Sequence, residues 1–129
     1  MTPSGGMACV PSDDPAGRVD DILAAVVRIE TYVAKGGGID ALLADQNELY
    51  DAVERRLMIL SEAAVKLGTL AETMEPSVPW RDIRGLGNAL RHSYDKVNPD
   101  IVRAIIESHL PRLAAACGRM KSAMRAKPS

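Results

Sequence analysis

Leu49, Val53, Leu57, Leu60, Ala64 and Leu67 recur every three or four residues, which places them on one face of an α-helix. An earlier segment has the same period in Ile22, Ala25, Val26, Ile29 and Val33, with Arg28, Glu30 and Lys35 off the stripe. Asp20 or Asp21 is placed to cap its start, and Gly36-Gly37-Gly38 to end it. The longer stripe should begin near Asp45 and fray beyond Gly68, ahead of Pro76 and Pro79. Trp80, directly after Pro79, then enters a short helix containing Ile83, Leu86 and Leu90. Asn98-Pro99 reads as an N-cap followed by proline in the first turn. Ile101, Val102, Ile105 and Ile106 form the apolar face of the helix that follows. Pro111 bends or restarts the chain, and Leu113, Ala114, Cys117, Met120 and Met124 carry a last helix. No strand pattern competes with these periods. At 129 residues the chain suffices for one core, and with no Phe that core is aliphatic. The expected fold is all-α, a four- to five-helix antiparallel bundle.

The first 17 residues, MTPSGGMACVPSDDPAG, have no periodicity and no signal-peptide pattern, and read as a disordered leader. The helical domain is expected over 18–126, with 127–129 as a tail. No apolar run approaches the roughly 20 residues that span a bilayer, so no membrane association and a cytoplasmic location are expected. Cys9 and Cys117 lie far apart and make no metal-ligand spacing. No metal or cofactor is expected. A net charge of −1 conceals a polarity: residues 1–79 carry 6 Lys and Arg against 13 Asp and Glu, whereas residues 80–129 carry 10 against 4. The basic half can attract a phosphate backbone, or the two halves can neutralise each other within the fold or across a dimer.

The basic half contains GLGNALRHSY, residues 85–94. On a helix Arg84, Asn88 and His92 are spaced i, i+4 and i+8 and line one side, with Arg91 beside them and Tyr94 near the helix end. Gly85 and Gly87 cost about 1 kcal/mol each in helix propensity relative to Ala, and they leave room for close approach of another backbone or a ligand. A histidine takes or gives a proton near neutral pH, an arginine holds a phosphate, and an asparagine orients either one. Those are parts for cleaving RNA without a metal: a base for the 2′-hydroxyl, an acid for the leaving 5′-oxygen, and a cation for the phosphorane. One histidine cannot be base and acid at once, which a dimer would resolve. The alternative is a histidine that merely sits at a helix end and interacts with its dipole. His109, near Pro111 and without polar neighbours in sequence, reads as structural.

The run VPWRDIRGLGNALRHSYDKVNPDIV through ESHLPRL, with YDAVERRLMILSEAAVKL upstream, resembles the HepT-like branch of the HEPN superfamily. Pro-Trp, Gly-Asn, His-x-Tyr and Asn-Pro-Asp-Ile-Val occur together and in that family's order, over about residues 18 to 120. The resemblance implies a small all-α toxin of a type VII-like toxin–antitoxin pair: a metal-independent endoribonuclease whose homodimer, or higher oligomer, forms a composite cleft. It also implies an MntA-like minimal nucleotidyltransferase antitoxin that transfers AMP to the tyrosine of His-x-Tyr. In this chain the matching residues are Asn88, His92 and Tyr94. His92 is then the catalytic acid/base, Asn88 the orienting group and Tyr94 the modified residue, while Arg91, Arg81 and Lys96 contact RNA. A phosphoryl-linked nucleotide on Tyr94 would repel an RNA phosphate.

One departure stands out. The family places an arginine, then four to six intervening residues, then the histidine, and here the positions for that arginine hold Gly85, Leu86 and Gly87. Arg84 lies about 60° around the helix from Gly87, using roughly 100° per residue. The phosphate cation is then Arg84, or Arg91 in its place. Alternatively, the chain has lost cleavage and serves as a nucleotidyltransferase-binding or nucleotide-binding helical adaptor.

Overall fold

A computed structural model describes residues 14–45, 48–92 and 98–126 of the chain. Their elements are α1 (Pro15–Lys35), α2 (Ile39–Asp45), α3 (Glu48–Leu67), α4 (Thr69–Met74), α5 (Trp80–His92) and α6 (Pro99–Ala104). A π-helical turn (Ile105–His109) then leads into α7 (Leu110–Ala126). Among the described residues there is no strand, so the all-α expectation holds. No helix among them is long and apolar enough to cross a membrane. The long helix α3 occupies the centre, packed against α1 on one side and α5 on the other, and α7 packs on α1.

The core is where the periodicities placed it. Ile22 and Ile29 of α1 meet Leu57 and Leu60 of α3 and Leu113 and Met120 of α7, all nearly excluded from solvent. Each such aliphatic chain contributes about 1.5–3 kcal/mol by leaving water. Trp80 fills the end of this core at 1 % exposure, and its indole Nε1 donates to the Glu75 carbonyl at 2.9 Å. That bond lets a large aromatic be buried without an orphaned donor.

Several boundaries differ from the periodicity reading. Helix α1 begins at Pro15, not near Asp20, because proline at the first helical position needs no hydrogen-bond partner for a missing N–H. Asp20 and Asp21 therefore sit inside the helix and make ion pairs, Asp20 with Lys121 at 2.7 Å and Asp21 with Arg18 at 3.4 Å. Gly37 and Gly38 do end it as expected, with φ of 89° and 104° in the region glycine tolerates best. The segment around Asp45 belongs to α2, a short helix that the periodicity did not reveal, and α3 starts at Glu48. After Gly68, with φ of 60°, the chain turns into α4 and does not fray.

Asn98 caps α6 as expected, its Oδ1 accepting from the Asp100 N–H at 2.8 Å. Pro111 neither stops nor restarts the following helix. The π-turn before it widens the backbone so that the Leu110 N–H bonds to the carbonyl of Ile105, five residues back. This loosened turn accommodates a proline ring that would press on the carbonyl four residues behind it in a regular α-helix.

The charge polarity has a structural answer. Five ion pairs between elements each join an acid of the first 79 residues to a base of the rest: Glu72–Arg84, Glu62–Arg91, Asp40–Arg103, Glu75–Arg119 and Asp20–Lys121. Much of the opposition between the two halves is thus neutralised within the fold.

Candidate functional site

Helix α5 carries the polar cluster, and its burial pattern fixes how that cluster is presented. Ile83, Leu86 and Gly87 are buried, Leu90 is half-buried, and Arg81, Gly85, Asn88 and Ala89 are exposed. At roughly 100° per residue, Arg81, Gly85, Asn88 and position 92 fall within about 60° of one another, opposite the buried side. The outward face of α5 is therefore Arg81-Gly85-Asn88, with the backbone of position 92 on the same line. A Cβ added to Gly85 would meet no heavy atom within 4 Å.

Arg84 is turned away from that face. Its Nη1 and Nη2 donate to the two carboxylate oxygens of Glu72, both at 2.7 Å. Its Nε donates to the Ala64 carbonyl at 3.2 Å and Nη2 also to the Gly68 carbonyl at 2.9 Å. One guanidinium thus ties α5 to α4 and to backbone carbonyls at the junction of α3 and α4, where the Gly68 carbonyl also accepts from the Ala71 N–H at 3.2 Å. The paired hydrogen bonds hold the Glu72 carboxyl below its ordinary value and raise Arg84 above its own. The i, i+4, i+8 spacing leaves Arg84 on the flank of the helix, and contacts with earlier parts of the chain draw it inward.

Arg91 lies on the same flank, exposed, with Nη1 3.6 Å from a Glu62 carboxylate oxygen. That distance is long for a charge-assisted hydrogen bond, so the guanidinium is held loosely. Arg81 makes no ion pair among the described residues. The outward face thus holds one cation without a salt bridge, whose charge acts on Glu72 from a distance, and one amide, with Arg91 beside them. Position 92 ends α5, while Tyr94 and Lys96 lie outside the described residues, as do Cys9 and residues 127–129.

The sequence reading missed what anchors α5. Ser61 of α3 is buried at 1 % exposure; its Oγ donates to the Arg84 carbonyl at 2.9 Å and accepts from the Gly87 N–H at 3.0 Å. A Cβ on Gly87 would lie 2.8 Å from the Ser61 Cβ, so glycine is what permits the approach. Of the two glycines expected to allow close contact, Gly87 does so with α3, whereas Gly85 faces open space. A serine amid the apolar stripe of α3 was the available signal.

Cys117 is buried in α7, and burial, with a smaller effect of Glu75, pushes its thiol up to about 12. It is an inert thiol at neutral pH. Among the described residues no group of three or more His, Cys, Asp or Glu is placed to hold a metal ion.

The chain matches the family model described as ribonuclease HepT-like over residues 22–120, a span that contains every element from α2 to α6 and all of α5. No curated protein and no solved structure matches it.

Proposed function

Since the chain belongs to the HepT-like ribonuclease family, we propose that it is a metal-independent endoribonuclease toxin that acts on cytoplasmic RNA as a homodimer. His92 of one copy takes the proton of a 2′-hydroxyl, whose oxygen attacks the adjacent phosphorus. His92 of the other copy protonates the departing 5′-oxygen as the P–O5′ bond breaks. The products are a 2′,3′-cyclic phosphate and a free 5′-hydroxyl, and no water or metal is consumed in the step.

Arg91 is the cation assigned to the phosphorane, and Asn88 orients the reacting phosphate or the imidazole. Arg84 takes a positioning role through Glu72 and the end of α3, because its donors are already engaged there. Arg81 and Lys96 hold the flanking RNA backbone. Neutralisation follows from AMP transfer to Tyr94 by a minimal nucleotidyltransferase antitoxin, which places a phosphodiester beside the cleft and repels RNA. The family match across the whole of α5 is the observation that carries this reading.

A second reading has a specific observation behind it. Glycine occupies two of the family's arginine positions and Arg84 is tied down, which favours a non-catalytic adaptor that binds the nucleotidyltransferase or a nucleotide through the same face. Product ends separate the two. Incubation with RNA in EDTA should give fragments with 5′-hydroxyl and 2′,3′-cyclic phosphate ends. Fragments with 5′-phosphates point to another mechanism, and intact RNA points to the adaptor.

A further inference from the structure

Helix α5 and the α6–π–α7 run splay apart, leaving a groove of about 250 Å³. Ile83 and Leu86 line one wall and Ile101 and Ile105 the other, and Asp82 and His109 are its polar members. Ile101, on an otherwise amphipathic helix, is 51 % exposed at this edge. The mechanism proposed above uses none of these residues.

We propose that the groove is a nucleobase subsite that selects guanine in single-stranded RNA. This rests on the reading that α5 acts on RNA, and it assigns that site a sequence preference. The volume falls below the roughly 300 Å³ at which drug-sized pockets begin, and it suits one planar base without its sugar and phosphate. Aliphatic walls and an imidazole receive the faces of a base, as in other sites that take up unstacked bases. Charge decides which part of the nucleotide enters. Asp82 is the one carboxylate among the lining residues; it repels phosphate and accepts hydrogen bonds only. Guanine alone presents two adjacent donors on its pairing edge, N1–H and the exocyclic amine, which match the two carboxylate oxygens. On adenine and cytosine the amine has an acceptor nitrogen next to it, and on uracil the single N–H has a carbonyl on each side. Arg81, adjacent in sequence and free of ion pairs among the described residues, is the cation beside the slot for the backbone. Leu86 lies about 9 Å along the helix from position 92 and about 120° around it, so the base bound is a neighbour of the cleaved nucleotide along the strand and not the nucleotide itself.

The test is an NMR titration of the unmodified full-length chain with GMP, AMP, CMP and UMP, following the methyl groups of Leu86, Ile101 and Ile105. GMP should shift these resonances saturably and bind about tenfold tighter than the other three, the discrimination expected of one bidentate pair. Asp82→Asn should remove the preference and keep the fold, checked by its melting temperature. Equal binding of all four nucleotides, no shift at the groove, or a preference that survives Asp82→Asn overturns the proposal. Groove resonances that move with protein concentration alone overturn it as well, because a second copy then covers the site. The titration needs no cleavage, so an inactive nuclease does not affect it, and its failure leaves the cleavage reading standing.

Discussion

The Ser61 hydroxyl sits 3.0 Å from the Gly87 amide nitrogen and bonds to the Arg84 carbonyl on the same turn of α5. This contact sets how close α3 and α5 lie and which way the outward face of α5 points. Gly87→Ala forces the two helices apart and should cost about 1–3 kcal/mol, the usual range for overpacking. Gly85→Ala, at open space, should instead stabilise by about 0.5–1 kcal/mol through better helix propensity. Urea unfolding of both variants checks the contrast, and equal effects would contradict the close-contact geometry.

Arg84 should behave as a structural clamp. Arg84→Ala removes charge-assisted bonds to two carbonyls and a carboxylate, and a loss of about 1–3 kcal/mol is expected. The pH dependence follows from Glu72, whose folded carboxyl titrates below the ordinary 4.5. Its stabilisation is fully present above that ordinary value and fades as pH falls through the lower folded one. The stability gap between wild type and Glu72→Gln should therefore be present at pH 7 and narrow in strong acid. Denaturant midpoints of both proteins at the two pH values measure it.

Cys117 should resist modification. In a Cys9→Ser background the native protein should take up no thiol reagent at pH 8, since burial pushes this thiol up to about 12. Reaction should appear only on unfolding, which a colorimetric thiol assay with and without denaturant shows.

Arg81 and Arg91 should separate in RNA binding. Arg81, with no ion pair to lose, should lower the slope of log affinity against log salt by about one when changed to Ala. Arg91→Ala also frees Glu62, and should weaken binding while reducing cleavage of bound RNA more than Arg81→Ala does. Fluorescence anisotropy across a salt series and single-turnover cleavage read the two effects.

Local signals carried most of the fold. The start of α5 after Pro79 and the Asn98-Pro99 cap were legible because each depends on neighbours within a few residues. Helix α2 was not, since only Leu42 and Leu43 of its seven residues are buried, too few for a period. The direction of Arg84 was hidden for a different reason. Its partners Ala64, Gly68 and Glu72 lie 20, 16 and 12 residues upstream, and only tertiary packing brings them together. The outward face was partly legible: Asn88 is on it, as is Arg81 by the burial pattern, whereas Arg84 is not. In sequence Ser61 is one polar residue amid an apolar stripe, and its role depends on the position of α5, 23 to 26 residues away.

The most direct measurement is cleavage of a mixed-sequence RNA in EDTA by unmodified wild type and by His92→Ala, with the oligomeric state of each checked by light scattering. Cleavage by the wild type and its loss in an equally assembled variant is the expected result. Intact RNA with both proteins at high concentration, or equal cleavage by both, would contradict a ribonuclease that works through His92.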